Sequence, residues 1–505
     1  MKKNILAIAL LAFSVLATAQ TEYDALRLSQ TDLTGTARYV SLGGAMGALG
    51  GDASAIKDNP AGLGVYRSAE ITATMNLALT NTQPIEWHNM KTNQDRYSKL
   101  SFNNVSYIMT FPDYEKGSGL LGSNISFSYQ KLNDFNKSFV MNGGKSATSF
   151  TDFLAHFSSP NPPIPGDVGY DNYDMPWLTT LGLDGYLINI DGQNFTSLLN
   201  QGELVTPKYA FDQAGSLSEF SFGWGGNYNN NFFLGASLNI RSLDYSLKTT
   251  LTEDFENGGG FDLVNKQVQS GIGLNAKLGA IYLPSNELRL GLSFHTPSIT
   301  YMSEETYADL HSSEIPADEK NPAETPVNSQ AFNLWSPMQM QASAAYLIGK
   351  MGLLSAEYNF VNYKGARFHG NPQSTQKFGD INTAMKDVLN NVHVLKAGAE
   401  ARITPNFSLR LGYAMMTPAV NPDYVNGKIL VGNSVNTNTE YFDQKYNTSH
   451  VTFGLGYRKP GWFIDFAYAI KNQKEDFFPY QDRVLTPTVL DTKTSNVLLT
   501  LGLRM

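Results

Sequence analysis

Seven histidines are the residues best equipped for acid–base or ligand chemistry, at 88, 156, 295, 311, 369, 393 and 450. None falls in a repeating catalytic spacing. Surface hydrolases bring Ser, His and a carboxylate together, and no such constellation stands out. Haem ligation would call for a His–Tyr pair, and none singles itself out. Gly44, Gly47 and Gly50 sit in a glycine-rich run, but no strand precedes it and no Lys-Ser/Thr follows, so a phosphate cradle is not expected. The sequence therefore nominates no catalytic, cofactor-binding or metal-ligating residue, and no enzyme.

Its residue types offer hydrophobic surface instead. Phe150, Phe153, Leu154 and Phe157 fall at the i, i+3, i+4, i+7 spacing of one helical face. A second short amphipathic helix is expected over 175–183, with Trp177, Leu178 and Leu181. Together these residues would line a groove that captures an apolar compound, or form the private core of a folded loop.

Both helices lie inside a long link between strands, and the strands alternate with period two. Ile71, Ala73, Met75, Leu77 and Leu79 alternate with Thr72, Thr74, Asn76 and Ala78. The pattern returns at 125–129, 234–240, 288–294, 407–413, 451–457 and 462–468. One face is greasy and the other small, polar or charged. Arg241, Lys277, Arg289, Glu357, Arg410 and Asp465 sit mid-strand on the polar face, as a hydrated lumen permits. Trp87, Tyr107, Tyr282, Trp335, Tyr346, Tyr457, Trp462 and Tyr468 recur near strand ends, where interfacial girdles belong. Short links at 112–119, 229–231, 284–286, 349–350, 404–406 and 459–461 interleave with long ones near 81–99, 133–215, 247–266, 299–330, 365–390, 418–447 and 474–493. A soluble sandwich has no reason to sort its links by side. The pattern implies an all-β, transmembrane antiparallel β-barrel of about 14 strands. Val497, Leu499, Leu501, Leu503 and Met505 alternate to the last residue as a closing strand. Both ends are then expected in the periplasm of a bacterial cell whose outer membrane the barrel spans.

Bulk properties agree. The 505 residues include no Cys, so stability is reached without disulfides, and the net charge of -8 argues against nucleic acid as a partner. Lys2 and Lys3, the apolar stretch 5–16 and Ala17-Thr18-Ala19 read as a signal peptide over 1–19, cleaved before Gln20. Residues 20–68 do not alternate, and 69–505 form the barrel with its outer loops, notably 133–215.

In the segment ahead of the barrel, Asp52 is placed to cap a helix through Lys57, Asn59-Pro60 ends it, and Ala61-Gly62 turns into the first strand. Small residues at every turn suit helices packed closely against a wall. The run Gly-Gly-Ala-Met-Gly-Ala-Leu-Gly-Gly-Asp-Ala-Ser-Ala-Ile-Lys-Asp-Asn-Pro-Ala-Gly-Leu (43–63) resembles the N-terminal hatch of the outer-membrane long-chain fatty-acid transporter family (FadL-like), which includes aromatic-hydrocarbon transporters. The resemblance implies a hatch plugging a fourteen-stranded barrel, with Gly43, Gly44, Asn59, Pro60, Ala61 and Gly62 in the segment that gates it. It implies passive uptake of a hydrophobic small molecule, partly through a lateral opening. Gly119 and Gly122, at the start of the third strand, are candidates for that opening, because glycine weakens a ladder. Outer-membrane lipid and lipopolysaccharide are the expected surroundings, and the chain is expected to be a monomer.

Three alternatives stay open at this level. A haemin receptor or a general diffusion porin would use the same architecture. Lumen charges favour the porin, while a hatch argues against it. A surface adhesin using the loops is the third.

Overall fold

The computed structural model describes residues 21–92, 94–112, 119–159, 169–171, 175–192, 194–371, 378–421, 435, 437–480 and 486–505. The expected signal peptide and most of the first short link lie outside the described residues. The alternating stretches form β1 (Glu70–Pro84), β2 (Asp95–Pro112), β3 (Leu120–Asp134), β4 (Val205–Tyr228), β5 (Phe232–Phe255) and β6 (Gly260–Tyr282). The next three strands are each interrupted once: β7 (Leu288–His295, Ile299–Ser312), β8 (Asn328–Trp335, Gln339–Ile348) and β9 (Gly352–Val361, Arg367–Gly370). β10 (Val392–Arg402), β11 (Phe407–Met416), β12 (Thr448–Arg458), β13 (Trp462–Phe478) and β14 (Thr488–Arg504) complete the wall. Each strand is antiparallel to its neighbours, and β14 pairs with β1 from Glu70↔Arg504 to Pro84↔Leu490, closing a barrel of 14 strands. Closure removes the free edges that an open sheet would expose to lipid.

Alternation sets which side meets which solvent. On β5, Phe232, Leu234, Leu238 and Ile240 point outward and stay exposed, while Asn239 and Arg241 are buried inside. Farther along the strand the parity inverts. Leu243, Tyr245, Leu247 and Leu251 point inward and are buried, while Asp244, Ser246 and Lys248 face out. The inversion marks where the apolar belt ends and an enclosed, water-surrounded sheet begins. β4, β5 and β6 therefore run 24, 24 and 23 residues, well past the belt. The link expected at 247–266 is reduced to a turn between β5 and β6, and most of 299–330 is strand. An inward apolar face lets the ladder continue outside the belt. Trp87, expected in a girdle, is instead buried in the core of the loop side.

The segment ahead of the barrel lies inside it. α1 (Glu22–Ser29) opens on a capping box from Thr21 and Asp24. It sits at the loop rim, where Tyr23 stacks on Phe442 at 5.3 Å between centroids. The chain then descends: Asp32 N–H donates to Leu132 O (2.8 Å), and Ala37 N–H, opening α2 (Ala37–Ser41), donates to Thr500 Oγ1 (2.7 Å). Two 3-10 turns, Ala53–Lys57 and Pro60–Val65, bring it to the rim of short turns, where β1 starts. The C-terminal strand ends at that rim as expected. The first described residues lie at the other one.

Candidate functional site

The lumen is narrow because the wall lets the hatch come close. At Gly235 an added Cβ would collide with the backbone of Pro60 and Ala61, and at Gly412 with the backbone of Leu42 and Gly43. These two inward glycines are sockets for the hatch, each cut by leaving out one side chain.

Most residues named for gating lie in these contacts. Asn59 accepts from Ala61 N–H at 3.0 Å, capping the turn that Pro60 begins, and donates to Gly47 O (2.8 Å) and Ala280 O (3.2 Å). Asn59, Pro60, Ala61 and Gly62 are buried, with Gly62 against Gly50. Gly43 and Gly44 turn on the opposite side of the lumen with φ of +62° and +76°, a region open to glycine. A Cβ on Gly43 would meet backbone atoms of Tyr413 and Ala397.

Most of the charges read on the inner face are paired. Lys396 bridges Asp58 of the hatch (3.1 Å) and Glu357 of the wall (2.7 Å), and Glu357 also accepts from Gly47 N–H (2.9 Å). Arg410 joins Glu400 (2.7 Å) to Asp465 (2.6 Å), and Arg38 of α2 reaches Glu400 at 3.2 Å. Arg241 (3.1 Å) and Lys277 share Glu219. Arg289 donates to Leu49 O (2.8 Å). Five of the six charges read from the polar face are thus buried in ion-pair networks; Arg289, half-buried, holds only a backbone carbonyl of the hatch. Sequence reasoning missed the hatch ends of those networks, Asp32, Arg38 and Asp58. Asp32 is held by Lys471 (2.8 Å) and His450 Nε2 (2.9 Å). Burial alone would raise its pKa, but Lys471 and His450 outweigh that and hold its carboxyl well below the usual range. His295 contacts Asp58 O at 2.7 Å and lines the lumen.

Two small cavities flank the unwound stretch Gln30-Thr31-Asp32-Leu33, one of about 110 Å³ and one of about 140 Å³. The first combines Lys57, Lys396 and His450 with Leu132, Val361, Val394 and Met416. The second reaches a break in the wall. β2 pairs with β3 only from Asn104↔Gln130 to Pro112↔Gly122, so among the described residues 95–102 pair with β1 alone and Asn103 is bulged out of both ladders. β3 is irregular between Lys131 and Asn133. Beyond Asp134 the chain continues as Lys137–Asn142 on β4, with Phe139 buried 5.0 Å from Phe211. Lys137 reaches across to Glu475. Bonds that each use a side chain, not ladder pairs, bridge the break: Tyr97 Oη donates to Asn136 Oδ1 (3.2 Å), and Val140 N–H to Asp95 Oδ2 (2.5 Å). Tyr97, Lys99 and Asn103 on one lip, and Lys131, Asn133 and Asn136 on the other, line the second cavity. Outside this lip Leu100 and Phe102 are exposed in the apolar belt. Gly119 and Gly122 lie at the opposite end of β3; Gly119 has φ of +73°, and Gly122 is paired to Pro112 and Asn227.

The two loop helices form as α3 (Phe150–Ser158) and α4 (Trp177–Asp184). Phe150, Phe153, Leu154, Leu178 and Leu181 are buried in one loop-side core, and Phe157 packs on its edge. Trp177 sits apart with Val435 and Tyr170. The same core takes in Leu26 and Leu28 of α1.

No family model matches the sequence, and no curated protein sequence matches it. Solved structures do share its fold. A FadL homologue from Pseudomonas aeruginosa superposes with a TM-score of 0.55 at 14% identity, covering 94% of this chain and 99% of the other. The P. putida toluene transporter TodX gives 0.53 at 12% identity, with 94% and 99% covered. The CymD monoaromatic hydrocarbon channel gives 0.50 at 11%, with 95% and 98% covered. At these identities the likeness is one of fold.

Proposed function

We propose that this chain is an outer-membrane transporter for passive uptake of hydrophobic compounds, sharing with the proteins above their cargo class as well as their fold. The loop rim faces the outside and the rim of short turns faces the periplasm. The observation that carries this reading is the break between β2 and β3. It lies within the apolar belt, with a lumen cavity behind it and exposed Leu100 and Phe102 beside it. An apolar compound leaving there enters acyl chains and never crosses the periplasmic side in water, which lowers its free energy. The hatch blocks the straight path, so small ions and sugars have no open bore. Asn59, Pro60, Ala61 and Gly62 hold the blocking turn, and Gly43 and Gly44 its far anchor. The α3–α4 region is the outer surface that such a compound meets first, and Phe157 and Trp177, at the edges of their clusters, are the residues to test there.

The test uses the absence of Cys from the sequence. Tyr97→Cys with Asn136→Cys places a thiol on each lip of the break, and a bifunctional methanethiosulfonate spans the gap that the tyrosine ring now fills. Cross-linking is expected to lower uptake of the fluorescent hydrocarbon pyrene by cells displaying the protein, and reduction to restore it. In planar bilayers the unmodified protein is expected to show little steady current. A large open-pore conductance, with pyrene uptake no higher than in cells lacking the protein, would sink the proposal.

A further inference from the structure

The wall is interrupted a second time, on the far side of the same membrane face. β7 breaks at 296–298, β8 at 336–338 and β9 at 362–366, three neighbours at one height, since His295↔Gln339 and Ile299↔Trp335 bracket the first two breaks. Pro297 and Pro337 remove two ladder donors there. Hydroxyls stand in for part of the missing ladder: Thr296 Oγ1 accepts from Ala276 N–H (3.0 Å), and Ser336 Oγ from Ser298 N–H (2.9 Å). One backbone bond, Ser336 N–H to Ser298 O (2.9 Å), spans the seam between β7 and β8.

Space lies on both sides of it. Inside, the first lumen cavity is lined by His295, Gln339, Val361 and Tyr363, which border the breaks. Outside, the barrel is dented into a groove of about 1050 Å³ whose walls are almost wholly apolar. One end of that groove is Thr296, Pro297, Ile299 and Trp335, at the seam. The other is Val105 and Tyr129, a ladder pair adjoining the break between β2 and β3. Between them run paired rings, Phe127–Phe222 at 5.1 Å and Tyr129–Phe220 at 5.2 Å.

Building on the transporter reading above, we propose that the seam at Pro297–Pro337 is a second lateral portal, and that both portals discharge into this one groove. The groove is then a membrane-side site for the hydrophobic compound, with flat or chain-like apolar surfaces stacking on its rings. The seam parts more readily than regular wall, because the side-chain hydroxyls that bridge it can rotate away whereas a regular backbone ladder cannot.

Ser298→Cys with Ser336→Cys staples the seam as a disulfide, and the methanethiosulfonate-linked Tyr97→Cys, Asn136→Cys pair staples the other break. Pyrene uptake by cells displaying each pair, and both pairs together, is measured closed and after reduction, with bond formation read by mass spectrometry. Expected are a partial loss for each closed pair, a complete loss for the double staple, and recovery on reduction. A Pro297→Val, Pro337→Val variant, which restores the ladder donors, is expected to lose uptake when the first break is stapled, whether or not the seam disulfide forms. Full uptake through an oxidised Ser298–Ser336 pair, with complete loss on stapling the β2–β3 break alone, overturns the second portal and leaves the transporter reading standing. Uptake no higher than in cells lacking the protein, in every form including the unmodified chain, overturns the transporter reading itself.

Discussion

Asp32 ties an unwound stretch of the hatch to two wall strands, through Lys471 on β13 and His450 on β12. Its depressed pKa fixes the sign of the pH dependence. The carboxylate stabilises the fold above its unfolded pKa, near 4, and that contribution fades as pH falls through the lower folded value. Asp32→Asn is expected to cost about 2 kcal/mol at pH 7, as a lost hydrogen-bonded charge pair. In calorimetry the gap in thermal midpoint from the unmodified protein should narrow below about pH 4. A gap that stays constant with pH would refute the role. Nothing in the sequence singled out Asp32, because its partners stand 418 and 439 residues away. Arg410 and Asp465 could be read in advance, since a charge in mid-strand on the polar face has only the lumen to occupy.

At the scale of elements, the hatch and the wall fit by omission of side chains. Gly235→Val is expected to push the Pro60–Val65 turn from its socket, at an overpacking cost of about 1–3 kcal/mol. It should show as a rise in current through single molecules in planar bilayers. An unchanged current with a lowered thermal midpoint would mean that the hatch does not set the conductance. Small residues across 41–64 announced close packing, and Asn59-Pro60 was legible as a helix stop; that Asn59 then caps a second turn, Pro60–Val65, ahead of the strand at Glu70 was not. The breaks in the wall were less so. Glycine drew attention to the start of β3, whereas the ladder fails at its far end, where a register irregularity arises from pairing between strands. Pro297 and Pro337 did carry a local signal, a missing donor in each of two alternating runs, and it went unread.

For the whole molecule, strand number and the sorting of links by rim were readable because a closed barrel must have both. Strand length was misjudged: the alternation was followed only while its apolar positions kept one parity. The switch from Leu238 and Ile240 to Leu243 and Tyr245 is itself in the sequence and locates the membrane boundary. Leu501, exposed on the apolar face of β14, tests that boundary. Leu501→Lys is expected to cost about 2–4 kcal/mol in lipid vesicles if it lies near the midplane and about 0–1 kcal/mol near the interface, read by urea titration. Lys at Ser246, beyond the belt, should be close to neutral; equal costs at both positions would remove the belt. The ring closed by β1 and β14 surrounds a segment that is covalently continuous with β1. The strand that closes the ring is thus the strand that continues from the plug, so a pull on the plug is a pull on the closing pair.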